Sequence, residues 1–319
     1  MSAPAWLASP PADAAIEIAE EAVTVAVLGS HGRDTVVERY AVEPLPPGAL
    51  VPSLTAPSVQ NRDAVTRALA AAVDQLGVRP RRVALVVPDP IARVSLLRFD
   101  RVPPRRDDLE QLIRWQMKKA APFPVEDASL TFSPAARGDG NGEFLVALSR
   151  REAIREYESL AESIGAHAGL VDLSTLCVLN LYLTSTPPPA GDWLLVHMRP
   201  TYTSIAIVRD ADVIFFRTRG HDEQDSLSDL VHQTTMYYQD RLEGQGFAHV
   251  FLSGSGRNPD DIDQARRGLD ERFGIPAEPI DPTLRVTLTD RITVTPAVRA
   301  SLAPLAGVLL RARQEAAGA

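Results

Sequence analysis

The pattern that most constrains this chain is a unit that occurs twice. Residues 15–18, 22–28 and 35–40 are short runs rich in Val, Ile and Thr, and their spacing predicts a three-strand meander. Residues 193–197, 203–208 and 213–216 repeat the theme, turned at Arg209-Asp210-Ala211. Each meander leads into a stretch of helical spacing and then an apolar strand, 63–76 with 83–87 in the first half and 223–242 with 248–252 in the second. The helical stripes are Val65, Leu69, Val73 and Leu76, and Leu227, Leu230, Val231, Thr234 and Tyr238. A duplicated unit of this kind predicts two like α/β lobes with a cleft between them, where ligands are favoured. Two unrelated α/β domains in series are the alternative that segment order leaves open.

The intervening stretches complete the plan. After Pro88 the pattern predicts a strand at 91–99 and a helix at 107–120 with Leu109, Leu112, Ile113 and Met117 along one side. Pro122-Phe123-Pro124 stops that helix, and strands at 129–132 and 143–148 flank a glycine-rich turn at 138–142. A helix at 153–164, a strand at 168–171 and a helix at 173–183 follow, and Pro187-Pro188-Pro189-Ala190-Gly191 reads as a linker. The second half closes with a turn at Ser253-Gly254-Ser255-Gly256, a helix at 262–273, a strand at 277–280 and a helix at 304–313. The domain plan is a first-lobe core at 13–88, an inserted subdomain at 89–148, a completion of the first lobe at 149–186, the linker at 187–191, and a second lobe at 192–313.

Composition excludes several classes of function. No apolar run approaches the roughly 20 residues needed to cross a bilayer. Residues 1–7 carry no positive cluster ahead of an apolar stretch and do not read as a secretory leader, so a cytoplasmic location is expected. A net charge of -8 argues against a nucleic-acid surface, and the pairs Arg105-Arg106 and Lys118-Lys119 read as solvated faces. The single cysteine, Cys177, lies in an apolar run and reads as core. There is no G-x-S-x-G elbow, no Walker lysine loop and no H-E-x-x-H helix, and the six histidines are scattered without ligand spacing. Neither a catalytic residue nor a metal site is therefore predicted.

One turn is a candidate for ligand contact. At Leu252-Ser253-Gly254-Ser255-Gly256-Arg257 a predicted strand runs into a helix through two glycines that let backbone come close to a partner. Its place in the chain adds weight, because the segment order resembles the actin-like ATPase superfamily, with its duplicated ribonuclease H-like fold and an insertion in the first lobe. Within that group the chain is similar to the PilM family of type IV pilus inner-membrane assembly proteins. The resemblance rests on Leu97-Arg98-Phe99-Asp100-Arg101-Val102-Pro103, on Ile113-Arg114-Trp115 and on Pro122-Phe123-Pro124. It rests also on Ile207-Val208-Arg209-Asp210-Ala211-Asp212-Val213 with Phe216-Arg217-Thr218-Arg219, and it places Gly254, Ser255 and Gly256 where the adenosine loop belongs.

The resemblance also implies two hairpin turns that present backbone N–H groups to the phosphates of ATP, with nearby carboxylates holding Mg²⁺ through water. Here the chain departs from the family. The first turn, roughly D-I-G-S-S-S-V-K in the family, reads Glu17-Ile18-Ala19-Glu20-Glu21-Ala22-Val23-Thr24. Glu20 and Glu21 put negative charge where a triphosphate would sit, and like charges in a partly dry cleft repel by roughly several kcal/mol. The second turn, D-I-G in the family, reads His197-Met198-Arg199-Pro200; the carboxylate is gone and Pro200 lacks an N–H. Glu17, Ala19 and Arg199 thus mark degenerate phosphate loops, and no bound cofactor is expected. The resemblance then implies a cytoplasmic scaffold without ATP hydrolysis, peripheral to the inner membrane. Its partners would be the cytoplasmic tail of a PilN-like single-span protein and other pilus inner-membrane components. Trp115, off the apolar stripe of its helix, is a candidate partner contact, although packing under Pro122-Phe123-Pro124 is the expectation for its side chain. A divergent ATPase that binds Mg·ATP, or a component of a type II secretion-like system, is the alternative.

Overall fold

The computed structural model describes residues 12, 14–31, 34–137, 142–184, 187–221, 226–290 and 292–318. The leader reading at 1–7, most of the turn at 138–142 and the first residues of the helix drawn at 223–242 lie outside them.

The first lobe is built on β1 (Ala14–Ile18), β2 (Ala22–His31) and β3 (Asp34–Pro44), an antiparallel meander. Helix α1 (Arg62–Leu76) then crosses to β4 (Arg82–Val87), which lies parallel to β1. The α1 ends are set locally: the Asn61 side chain accepts from the Ala64 N–H, and Gly77 closes the helix at φ 64°. Every residue of β1 is buried, as a central strand covered on both faces requires.

The chain leaves this sheet to form the insertion. β5 (Ala92–Phe99), α2 (Arg106–Met117), β6 (Ala128–Arg137) and β7 (Gly142–Arg150) make an antiparallel sheet in the order β5-β7-β6, with α2 on one face. Leu109, Ile113 and Met117 meet Phe99, Phe144, Val146 and Leu148. Trp115 does not pack under Pro122-Phe123-Pro124 as expected; it is 67 % exposed. Two residues beyond Ile113 on a helix lies about 200° around the axis, so burying the 109/113/117 stripe turns Trp115 outward. Helix α3 (Arg151–Ser163), β8 (His167–Leu173) and α4 (Ser174–Leu183) then return the chain to the first lobe.

The second lobe repeats the first. β9 (Trp193–Met198), β10 (Tyr202–Arg209) and β11 (Asp212–Gly220) form the meander, α5 (Leu227–Arg241) crosses to β12 (His249–Gly254), and α6 (Asp261–Phe273) leads to β13 (Ala277–Pro279). The strand order β11-β10-β9-β12-β13 reproduces β3-β2-β1-β4-β8, with the same parallel and antiparallel partners. Asp210 and Ala211 both take positive φ, the tight two-residue hairpin geometry.

The C-terminal stretch departs from the domain plan. β14 (Thr287–Leu288) extends the first sheet beside β3, and α7 (Pro296–Gly318), which starts ahead of the helix drawn at 304–313, packs on α4 and on β1, β2 and β4. Part of the segment drawn as second lobe thus belongs to the first. The reason is one shared core between the sheets: Ala15, Ala84 and Val86 from one side, Leu195, Ala206 and Phe251 from the other, and Cys177, Leu302, Leu305 and Leu309 between. A Cβ at Gly307 would stand 1.8 Å from the Cys177 carbonyl oxygen, so the helices pack backbone to backbone at that point. Among the described residues no helix is long and apolar enough to cross a membrane.

Candidate functional site

The lobes face each other through their first hairpins. In the turn from β1 to β2 the Ala19 N–H donates to the Ala22 carbonyl at 3.0 Å; in the turn from β9 to β10 the Arg199 N–H donates to the Tyr202 carbonyl at 2.8 Å. One backbone shape is used twice. It puts Glu17 and His197, Ala19 and Arg199, Glu20 and Pro200, and Glu21 and Thr201 at equivalent positions.

Arg199 joins the two turns. Its side chain, only 5 % exposed, places Nη1 3.5 Å from Glu17 Oε1 and Nη2 3.1 Å from Glu21 Oε1. Around this pair the Thr201 hydroxyl donates to Glu20, and Ser255 Oγ donates to Glu21 Oε1 at 3.0 Å. Ser174 Oγ, at the start of α4, donates to Glu17 Oε1 at 2.9 Å and lies 3.2 Å from His197 Nε2. Ser174 Oγ thus lies between Glu17 and His197, and His197 Nδ1 is buried without a protein hydrogen-bond partner.

Glu17 and Glu21 pair with this one guanidinium and Glu20 lies beside it, so burial and Coulomb attraction oppose each other here. Burial pushes Glu17 and Glu20 above the ordinary carboxylate range, against the pull of Arg199 on both and the Thr201 hydrogen bond on Glu20. On Arg199 burial also opposes charge, but Glu17 and Glu21 outweigh it and hold the guanidinium protonated. The ion pair therefore wins on the cation and burial wins on the acids. Burial first and the nearby guanidinium second keep His197 neutral.

The glycine turn is built against the second hairpin. Gly254 sits opposite Met198 in the sheet at φ 100°, and a Cβ there would stand 1.9 Å from the Met198 carbonyl oxygen. The Ser255 N–H donates to that oxygen at 2.9 Å. Gly256 lies against the side chain of Asp261, whose carboxylate accepts from the Asn258 N–H at 2.9 Å. Arg257 donates to the Pro200 carbonyl at 2.8 Å. Close packing of backbone accounts for Gly254 without a ligand. Beyond the turn, α5 and α6 leave a groove of about 310 Å³ floored by Met198, Leu227, Val231, Ala265 and Leu269.

A deeper polar cluster was missed by sequence reasoning. Asp89, fully buried at the first residue of the insertion, accepts from the Thr175 N–H at 3.0 Å, from the Thr175 hydroxyl and from Ser204 Oγ at 2.6 Å. Burial raises its pKa against those hydrogen bonds. The available signal was an acid between two prolines, Pro88-Asp89-Pro90, directly after a strand buried throughout its apolar run. Trp115 lies apart from both clusters, on the outer face of α2.

The actin-like plan implies ATP and Mg²⁺ between the two turns, and the residues present do not fit them. The position is filled by the Arg199 side chain and three acids bonded to it or beside it. A triphosphate would have to displace the buried cation from Glu17 and then face surplus negative charge.

The sequence model of a family described as type IV pilus assembly protein PilM matches residues 15–241. Among solved structures, the chain is similar to the PilM-PilN type IV pilus biogenesis complex at TM-score 0.80 and 16 % identity, covering 95 % of this chain and 99 % of that one. It is also similar to a Bacteroides thetaiotaomicron protein with actin-like ATPase fold and unknown function, at TM-score 0.50 and 9 % identity, covering 95 % and 96 %. The fold is actin-like in both lobes. The family match runs through the first lobe, the insertion and both hairpin turns, and on that span the chain belongs to the PilM family of type IV pilus assembly proteins.

Proposed function

We propose that this protein is a scaffold in type IV pilus assembly that works without hydrolysing ATP. The observation that carries the reading is the buried Arg199, bonded to Glu17 and Glu21 in the space between the turns. Catalysis of phosphoryl transfer needs donors and a metal arranged around the phosphates. Here the side chains of the two turns bond to one another instead.

The family supports a partner for it. A solved relative is a PilM-PilN complex, and the tail of a PilN-like single-span protein is the ligand we assign to this chain. Its dock is the cleft between the first lobe and the insertion, where an extended segment would order on binding. Such a partner holds the protein at the cytoplasmic face of the inner membrane. Calorimetric titration of the full chain with Mg·ATP is expected to give no saturable heat in the micromolar range. Micromolar binding accompanied by turnover would replace the scaffold with a divergent ATPase. Co-purification with the PilN-like protein tests the partner, and a failure to form a complex would remove it.

A further inference from the structure

A ligand in an interdomain cleft holds two lobes at one angle by bonding to both. In this protein the chain makes such bonds itself, in three layers. At the mouth, Glu20 meets Thr201, and Glu21 meets both Ser255 and Arg199. One layer in, Glu17 meets Arg199, and Ser174 meets His197. At the bottom, Asp89 meets Ser204, and its N–H lies 3.4 Å from the Tyr202 hydroxyl. In every layer one residue belongs to the first lobe or its insertion and the other to the second lobe.

We infer that Arg199 and its bonded partners are a built-in ligand: a permanent latch that fixes the angle between the lobes and, through Asp89, the pose of the inserted subdomain. The link to the insertion is structural. Asp89 is the point from which the insertion leaves the first sheet, three residues before β5 begins, and it is bonded at once to α4 and to β10. Next to β10, strand β11 packs against β5 and β6. A change of lobe angle that withdrew β10 would therefore pull on the root of the insertion and slide the surface on which it rests. Arg199 is then a positioning residue for partner docking without touching the partner. The part of this inference that concerns the partner rests on the scaffold reading; the latch stands on the bonds alone.

The test combines hydrogen exchange, read segment by segment on the full chain, with the affinity for a synthetic PilN-type tail. For Arg199→Ala the expected result is exchange at least about tenfold faster in the turns 18–22 and 198–202 and in β5, with α5 and α6 unchanged. Tail binding should weaken by about tenfold, within the usual range of coupling between sites, and Mg·ATP should not restore it. Unchanged exchange in the two turns would overturn the latch. Faster exchange with unchanged tail affinity would overturn the coupling. If Arg199→Ala does not fold, the pair Thr201→Val and Ser255→Ala, which opens only the mouth and keeps the buried cation, is read by the same two measurements. If the native chain does not bind the tail, the scaffold reading fails, and exchange in β5 of the variants still decides for or against the latch.

Discussion

The turn between β1 and β2 and the turn between β9 and β10 have one backbone and opposite chemistry. Each closes with an N–H to carbonyl hydrogen bond across the same interval, yet the first carries Glu17, Glu20 and Glu21 and the second carries Arg199, Thr201 and a neutral His197. A duplicated fold keeps its backbone because the strand pairing on either side demands it, whereas turn side chains are free to diverge. Here they have diverged into the two halves of one contact.

The sharpest way to break that complementarity is to remove its only cation. Arg199→Ala leaves Glu17 buried with no counter-charge, and denaturant unfolding should show a loss of about 3–5 kcal/mol. Adding Glu17→Gln to that variant should restore part of the loss, because the stranded charge goes with it. Full additivity of the two changes would deny that the residues act as a pair.

Removing the deeper tie should cost somewhat less. Asp89→Ala orphans the Thr175 N–H and hydroxyl and the Ser204 hydroxyl, and a loss of about 2–3 kcal/mol is expected by the same measurement. A loss under half a kcal/mol would mean that the lobes are not held at this point.

The buried acids of the first lobe and its insertion carry a pH signature opposite in sign to that of the second turn, where burial holds the His197 pKa down. Glu17, Glu20 and Asp89 have folded-state pKa values raised by burial above their unfolded values. Their contribution to stability is therefore complete below the ordinary carboxylate range and is lost as pH rises through the raised values. Thermal melts compared across pH should show the Glu20→Gln midpoint gaining on the native one as the buffer is moved upward from about pH 5, because the variant lacks one of the acids that lose stability there. Asp192 and Asp261, held low by Arg209 and by the Asn258 N–H respectively, act with the opposite sign and only in more acidic buffer. A Glu20→Gln profile parallel to the native one would assign the pH dependence elsewhere.

The smallest effect on stability is expected far from either turn. Trp115→Ala, at an exposed side chain, should change unfolding free energy by no more than about 0.5 kcal/mol. Retention of the PilN-like partner should nevertheless fall in a pull-down; unchanged retention would remove Trp115 from the docking surface.

Much of the fold was legible because its signals are local. The apolar, β-branched runs at 22–28 and 203–208 and the stripe Val65, Leu69, Val73 and Leu76 each reside within a short stretch of chain. Glu17, Ala19 and Arg199 were placed on turns by the resemblance to the family and not by local pattern. Their pairing was not legible, since Glu17 and Arg199 are brought together only when two lobes close on a common core. Gly254 reads as a ligand-facing glycine in sequence and proves to be required by the Met198 carbonyl oxygen beside it.

The sequence alone determined two repeated α/β units, an insertion within the first of them and the charges carried by the two hairpin turns, because strand period, helix period and side-chain charge are properties of adjacent residues. The tertiary structure alone decided that α7 returns to the first lobe, that Asp89 ties the insertion to β10, and that Arg199 fills the space between the turns. Each of these is a contact between segments far apart in the chain, set by the shared apolar core that brings them together and by the low-polarity surroundings in which a lone guanidinium must find its acids.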